Sequence, residues 1–115
     1  MERKVIYFGY YFKDFIGSLD KDVREKIDYV LDMLKRVKRL NPKFIKHIKD
    51  GLFELRIEWE GNIYRVFFVF DDGNVVVLFN GFQKKSQKTP IKEIEKGLRI
   101  KKEYYEYKRK LTSQL

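Results

Sequence analysis

The sequence has no cysteine and only one histidine, His47. Disulfides, a thiolate nucleophile and Cys-type zinc ligation are therefore excluded, and one imidazole cannot build a His-rich metal centre. His47 also lacks a positioned partner in the sequence, so it reads as a packed or solvated side chain. Alanine is absent, so the core must be packed from large side chains, and 17% of the chain is aromatic. No apolar run is long enough to span a bilayer, and MERKVIYFGY contains no apolar signal-peptide core. A cytoplasmic protein without a membrane partner is the expectation. No internal repeat, low-complexity linker, P-loop or dinucleotide fingerprint is found.

Positive charge is in excess. Lys and Arg number 26 against 17 Asp and Glu, a net charge of +9 over 115 residues. That length suits one domain with a modest core, and the charge suits a polyanionic partner. Nucleic acid, an acidic protein and an anionic membrane surface would all satisfy such a field.

The charge concentrates informatively in VVVLFNGFQKKSQKTP, residues 75–90. Val75 to Phe79 reads as a buried strand, and Asn80-Gly81 marks its exit. Phe82 then offers a ring, Lys84, Lys85 and Lys88 offer ammonium groups, and Gln83, Ser86, Gln87 and Thr89 offer neutral hydrogen-bonding groups. A phosphodiester with a stackable base suits that mixture. Thr89 as N-cap with Pro90 at the first helical position predicts a helix start.

The rest of the chain supplies a frame. VIYFGY, residues 5–10, predicts a strand, and residues 11–17 a brief helix. Asp20 predicts the N-cap of a helix whose inner face carries Val23, Ile27, Val30, Leu31, Leu34 and Val37, stopped by Asn41-Pro42. Residues 43–50 read either as a short helix or as a loop returning to the sheet. Phe53 to Trp59 alternates, with Phe53, Leu55, Ile57 and Trp59 on one face and Glu54, Arg56 and Glu58 on the other.

Gly61-Asn62 predicts a two-residue hairpin pairing Arg56 with Phe67, and Asp72-Gly73 a second pairing Phe67 with Leu78 and Arg65 with Asn80. These registers place Arg56, Glu58, Arg65, Asn80, Phe82 and Lys84 on one sheet face. Tyr64, Val66, Phe68 and Phe70 join the apolar residues of 53–59 on the other, to receive the long helix. The last helix is predicted to use Ile91, Ile94, Leu98 and Tyr105 as its apolar stripe. Residues 1–110 form the domain, and 111–115 are expected to fray.

This face suits RNA cleavage, because RNA carries its own nucleophile in the 2′-hydroxyl and needs in-line positioning and charge neutralisation. Arg56 and Arg65 would hold the phosphate by bidentate hydrogen bonds, and Lys84 and Lys85 would stabilise the pentacovalent state or the leaving oxygen. Phe82, Lys88 and Asn80 are the accompanying RNA-binding candidates. A lysine, a tyrosine or Glu58 would serve as base.

The strings GLFELRIEWEGNIYRVFFVF and FQKKSQKTPIKEIEKGLRIKKEYY carry a family likeness, through Gly51-Leu52, Glu54-Leu55-Arg56, Tyr64-Arg65, Phe82 with Lys84-Lys85, Thr89-Pro90 and Glu93-Ile94. On these the chain resembles the phage-derived HigB-like group of the RelE/ParE toxin superfamily. The resemblance implies an α+β fold in β-α-α-β-β-β-α order with a twisted antiparallel sheet. The N-terminal helices would lie on one face and the C-terminal helix at the other. It implies the toxin of a type II toxin–antitoxin pair, a cofactor-free and metal-independent endoribonuclease cutting mRNA on the ribosome. Its partner would be a helix-turn-helix, HigA-like antitoxin, and Arg56, Arg65, Lys84 and Lys85 are the positions matching the family's basic motif. Some relatives place a C-terminal histidine or tyrosine at the phosphate; here only Tyr104, Tyr105 and Tyr107 lie near the end. ParE-like relatives poison gyrase on the same fold, so a non-nuclease toxin and a plain RNA-binding domain are the alternatives.

Overall fold

The structure, a computed structural model, describes residues 2–85 and 88–113. Hairpins build most of the sheet: β2 (Ile45–Lys49), β3 (Leu52–Trp59), β4 (Asn62–Asp71) and β5 (Val75–Lys84) pair antiparallel in chain order. The first two turns are two-residue loops, Asp50-Gly51 and Glu60-Gly61, with φ positive at both positions (50° and 80°, 48° and 79°). That is the primed turn geometry that matches strand twist, and it explains glycine in the second place. The β3–β4 turn is thus one residue earlier than the predicted Gly61-Asn62. As a result Arg56 lies opposite Arg65, and Phe67 opposite Glu54.

The β4–β5 connection departs twice from expectation. Its turn takes three residues, 72–74, so that Asp71 pairs with Val75 and Phe68, not Phe67, with Leu78. A bulge follows, after which Val66 pairs with Gly81 and Arg65 with Phe82 rather than Asn80. Each departure shifts the register by one residue. The two together restore the facing predicted beyond the bulge, since side chains alternate with period two.

The predicted all-antiparallel sheet is corrected in two respects. β1 (Lys4–Tyr7) runs parallel to β5, giving a mixed sheet in the order β1-β5-β4-β3-β2. The ambiguous residues 43–50 supply the extra strand β2. Its two isoleucines serve opposite cores, Ile45 on one side and Ile48 on the other, so it has no one-sided apolar alternation to read.

α1 (Tyr11–Gly17) forms where expected, and α2 (Lys21–Arg36) buries Val23, Ile27, Val30 and Leu34 against Leu55, Ile57, Val66 and Phe68. Each such side chain contributes about 1.5–3 kcal/mol on burial. Asp20 occupies the N-cap position without a side-chain capping bond. α2 stops at Arg36, before Asn41-Pro42, with Val37 extended, and Arg3 reaches over from the β1 side. Its guanidinium donates to the carbonyls of Leu34 (2.7 Å), Val37 (2.7 Å) and Lys38 (2.6 Å), groups the helix end leaves open.

α3 (Ile91–Ser113) packs on the opposite face, with Ile100 and Tyr104 against Leu52, Phe67 and Phe79. Gly97 sets its approach: a Cβ there would lie 2.8 Å from Phe67 and 2.9 Å from Leu52. Of the predicted stripe, Ile94, Leu98 and Tyr105 pack at the margin of this core, flanking the fully buried Ile100, and Ile91 alone is 73% exposed. α3 continues through Ser113; residues 114 and 115 of the expected tail lie outside the described residues. Among the described residues no helix is long and apolar enough to cross a membrane.

Candidate functional site

α3 covers only part of its sheet face, and the candidate site is the part left open. Pairing aligns three rows of side chains there: Lys46, Glu54 and Phe67; then Arg56, Arg65 and Phe82; then Glu58, Ile63 and Lys84. The first row tucks under α3 at Phe67, whereas Arg56 and Arg65 of the second and Ile63 and Lys84 of the third, with Lys85, line an open groove of about 510 Å³. The structure therefore brings all four predicted cationic residues together.

Two arginines directly opposite on neighbouring strands repel each other and need compensation. Each has its own carboxylate. Arg56 Nη2 lies 2.6 Å from Glu58 Oε1 in a largely exposed pair. Arg65 Nη1 lies 2.9 Å from Glu54 Oε1, with side chains 6% and 1% exposed. This second contact is an ion pair off the hydrogen-bonding axis, and Arg65 Nε, also buried, has no partner among the described residues. Burial lowers the Arg65 pKa, and the Glu54 charge works against that shift. Guanidinium remains protonated in any case.

Glu54 does a second job. Its Oε2 accepts from the Thr89 hydroxyl at 3.0 Å, so the carboxylate that holds Arg65 also ties down the chain entering α3. Thr89 is thus not the helix cap predicted; the amides of Glu93 and Ile94 bond to the Pro90 carbonyl instead.

The remaining candidates divide. Lys84 is half-buried in the groove, and its pKa is lowered by burial first, then by Arg65, with Arg56 and Lys46 adding and Glu54 opposing. Lys85 and Lys88 are exposed, and Ser86 and Gln87 lie outside the described residues. Phe82 is 9% exposed with its ring 5.3 Å from that of Phe67, so it belongs to the core and offers no stacking platform. Asn80 is 1% exposed; the bulge turns it toward α3, where its amide donates to Glu93 Oε1 at 3.2 Å. Both predicted RNA contacts are corrected to supporting residues.

Lys46 was missed because its strand was not recognised, and Glu54 and Thr89 because only the fold brings them together. The pattern of β3 did show Glu54 on the Arg56 face, which was the one available signal. The C-terminal tyrosines lie elsewhere. Tyr104 donates to Asp71 Oδ2 at 2.6 Å at the far end of β4, and Tyr107 packs against Phe8. His47 Nε2 accepts from the Gly51 amide at 3.2 Å, and its ring packs edge-on against Phe53.

The arrangement is a cationic cleft with fixed guanidinium groups, suited to holding a phosphate in one orientation. Its scaffold is shared with a chain of the archaeal RelE–RelB complex from Pyrococcus horikoshii, at a TM-score of 0.57 and 16% identity, covering 76% of this chain and 100% of that one. The class is therefore α+β with the RelE-type fold. The chain belongs to the phage-derived protein Gp49-like family (DUF891), whose model matches residues 14–102. An uncharacterized protein of Haemophilus influenzae is 44% identical over 61 residues, which span 50% of this chain and 61% of that protein.

Proposed function

We propose that the protein is the toxin of a type II toxin–antitoxin pair, of the HigB-like kind, and that it arrests growth by cutting mRNA on the ribosome. The observation that carries this reading is the placement of Arg56 directly opposite Arg65 on the wall of an open groove shared with Lys84 and Lys85. Membership of a phage-derived family and the fold shared with a chain of a RelE–RelB complex support it. The antitoxin would be an acidic-surfaced, HigA-like helix-turn-helix protein that covers the groove, and the site of action the cytoplasm, where ribosomes are.

In the proposed reaction the 2′-oxygen bonds to the adjacent phosphorus as the P–O5′ bond breaks, leaving a 2′,3′-cyclic phosphate and a 5′-hydroxyl. Arg56 and Arg65 hold the non-bridging oxygens as charge builds on them. Glu58, the exposed carboxylate on this face, takes the 2′ proton. The Lys84 ammonium, acidified by burial and its cationic neighbours, gives its proton to the departing 5′-oxygen.

The test is induced expression in a bacterial host of the wild-type chain beside Arg56→Ala and Lys84→Ala, mapping new 5′ ends across cellular mRNA. Arg56 is the informative arginine, because its pair is solvent-exposed and its loss costs the fold little. Arrest with cuts that disappear in both folded variants is the expected result. Arrest without cuts would transfer the protein to a non-nuclease target such as gyrase, and absence of arrest would overturn the toxin reading.

A further inference from the structure

Arg56 lines a second cavity besides the groove. Past Ile45, β3 loses its β2 neighbour and retains only the bond from the Arg56 amide to the Phe44 carbonyl, 2.7 Å. At this open edge lies a recess of about 340 Å³ between α2 and β3, lined by Lys26, Lys43, Phe44, Arg56 and Glu58. Three cations face one carboxylate, and that carboxylate is already engaged by Arg56.

The two lysines are held in place without ion pairing. Lys26 Nζ sits 5.3 Å from the centre of the Tyr29 ring, and Lys43 Nζ 4.9 Å from that of Phe44. Neither has a carboxylate partner among the described residues. The turn carrying Lys43 is itself fixed: the Lys43 amide donates to Asn41 Oδ1 at 3.0 Å and the Phe44 amide to the Asn41 carbonyl at 2.9 Å. Positioned but unneutralised ammonium groups around a recess favour an anion.

We infer that this recess is a second RNA subsite, in which Lys26 and Lys43 bind a phosphate neighbouring the one held by Arg56 and Arg65, so that the strand turns from the sheet face over the β3 edge. The inference rests on the proposed RNA-cleaving function and extends its track. Arg56 is the junction, since it lines both cavities. The competing occupant is an acidic peptide adding as a strand beside β3. The edge past the Phe44 contact offers only residues 57–59, short against the roughly five or six residues of an ordinary strand. Discrete phosphates on a flexible single strand suit two separated ammonium groups better.

The experiment is fluorescence anisotropy on the whole chain with 2′-O-methyl oligouridylates, which cannot be cleaved, as a dimer with one phosphate and a hexamer over a range of salt. The double variant Lys26→Gln/Lys43→Gln is compared with wild type and with Lys84→Gln, after thermal melts show that all are folded. The double variant is expected to lose roughly tenfold in hexamer affinity with dimer affinity unchanged. Its log–log salt slope for the hexamer should fall by about 0.7, one phosphate's worth for a single strand. Lys84→Gln should weaken both oligomers.

Unchanged hexamer binding in the double variant would overturn the subsite, as would an equal loss on both oligomers. If instead only binding of a poly-glutamate peptide weakens, the recess belongs to an acidic protein partner and the RNA assignment falls. A length-dependent loss without mRNA cuts in cells would keep the subsite and refute the nuclease. No binding of either oligomer by wild type would overturn the subsite, while the nuclease reading stands or falls on the cuts in cells.

Discussion

Replacing Arg65 by alanine should weaken the very fold that presents the site it is meant to test. Arg65 and Glu54 are buried together, at 5% and 1% exposure, and removing the guanidinium leaves a carboxylate with only the Thr89 hydroxyl, among the described residues, to solvate it. Breaking a buried pair on one side costs about 3–5 kcal/mol. The off-axis contact and the retained Thr89 bond argue for the lower end, about 3 kcal/mol, against a total for small domains of roughly 5–15 kcal/mol. Urea unfolding followed by Trp59 fluorescence, with an unchanged m-value, measures it directly. The companion Glu54→Gln/Arg65→Met removes both charges and should recover most of the loss. Arg56→Ala, which opens an exposed pair, should cost under about 1 kcal/mol. A cost for Arg65→Ala equal to that for Arg56→Ala would refute the idea that Glu54 is a committed buried counter-ion.

Gly81→Ala should lower Tm by roughly 5–15 °C by overpacking, because the new Cβ would stand 2.2 Å from the Phe15 ring of α1; calorimetry reads this, and an unchanged Tm would contradict the packing. Tyr104→Phe should cost about 1.5–3 kcal/mol at neutral pH, since it removes a buried bond to a charged group. Burial pushes the Asp71 carboxyl up, but bonds from Lys108 and Tyr104 outweigh it and leave the pKa lowered. The stabilisation from that lowered pKa is complete above the unfolded aspartate value near ~3.9 and is lost as pH falls. The gap between wild type and Tyr104→Phe should therefore narrow under acid unfolding as pH falls below the unfolded aspartate value and through the lowered folded one. Finally, affinity for non-cleavable RNA should begin to fall with rising pH before ordinary lysines titrate, as Lys84 loses its proton early. Lys84→Arg should delay that onset, and identical profiles would exclude Lys84 from the contact.

Much of the fold was legible because it is written in short-range patterns. The strict alternation from Phe53 to Trp59 set the two faces of β3, and the helical spacing from Val23 to Leu34 set the face of α2. Register was less legible, since turn length depends on which residues take positive φ, and Glu60 does so without a sequence signal. The grouping of Arg56, Arg65 and Lys84 survived because two one-residue offsets between β4 and β5 cancel in facing. Asn80 did not survive in its predicted role, because a bulge moves it by a rule that composition does not announce. β2, and Lys46 with it, was hidden by having an isoleucine for each core.

What the sequence could not disclose is where the last helix stops covering the sheet, and that boundary defines the site. Gly97 brings α3 down onto Phe67 and Leu52, so the first row of side chains is buried and the second begins the open groove. Glu54 and Arg65 stand at that line. Buried enough to be locked, Arg65 still lines the groove, with one nitrogen unpartnered among the described residues. A guanidinium held this way loses little side-chain entropy on meeting a phosphate, whereas the exposed Lys85 must be ordered first. On the proposed function the division of labour would follow from burial: Arg65 would orient, Arg56 and Lys84 would complete the clamp, and the exposed lysines would supply the field that draws the polyanion in.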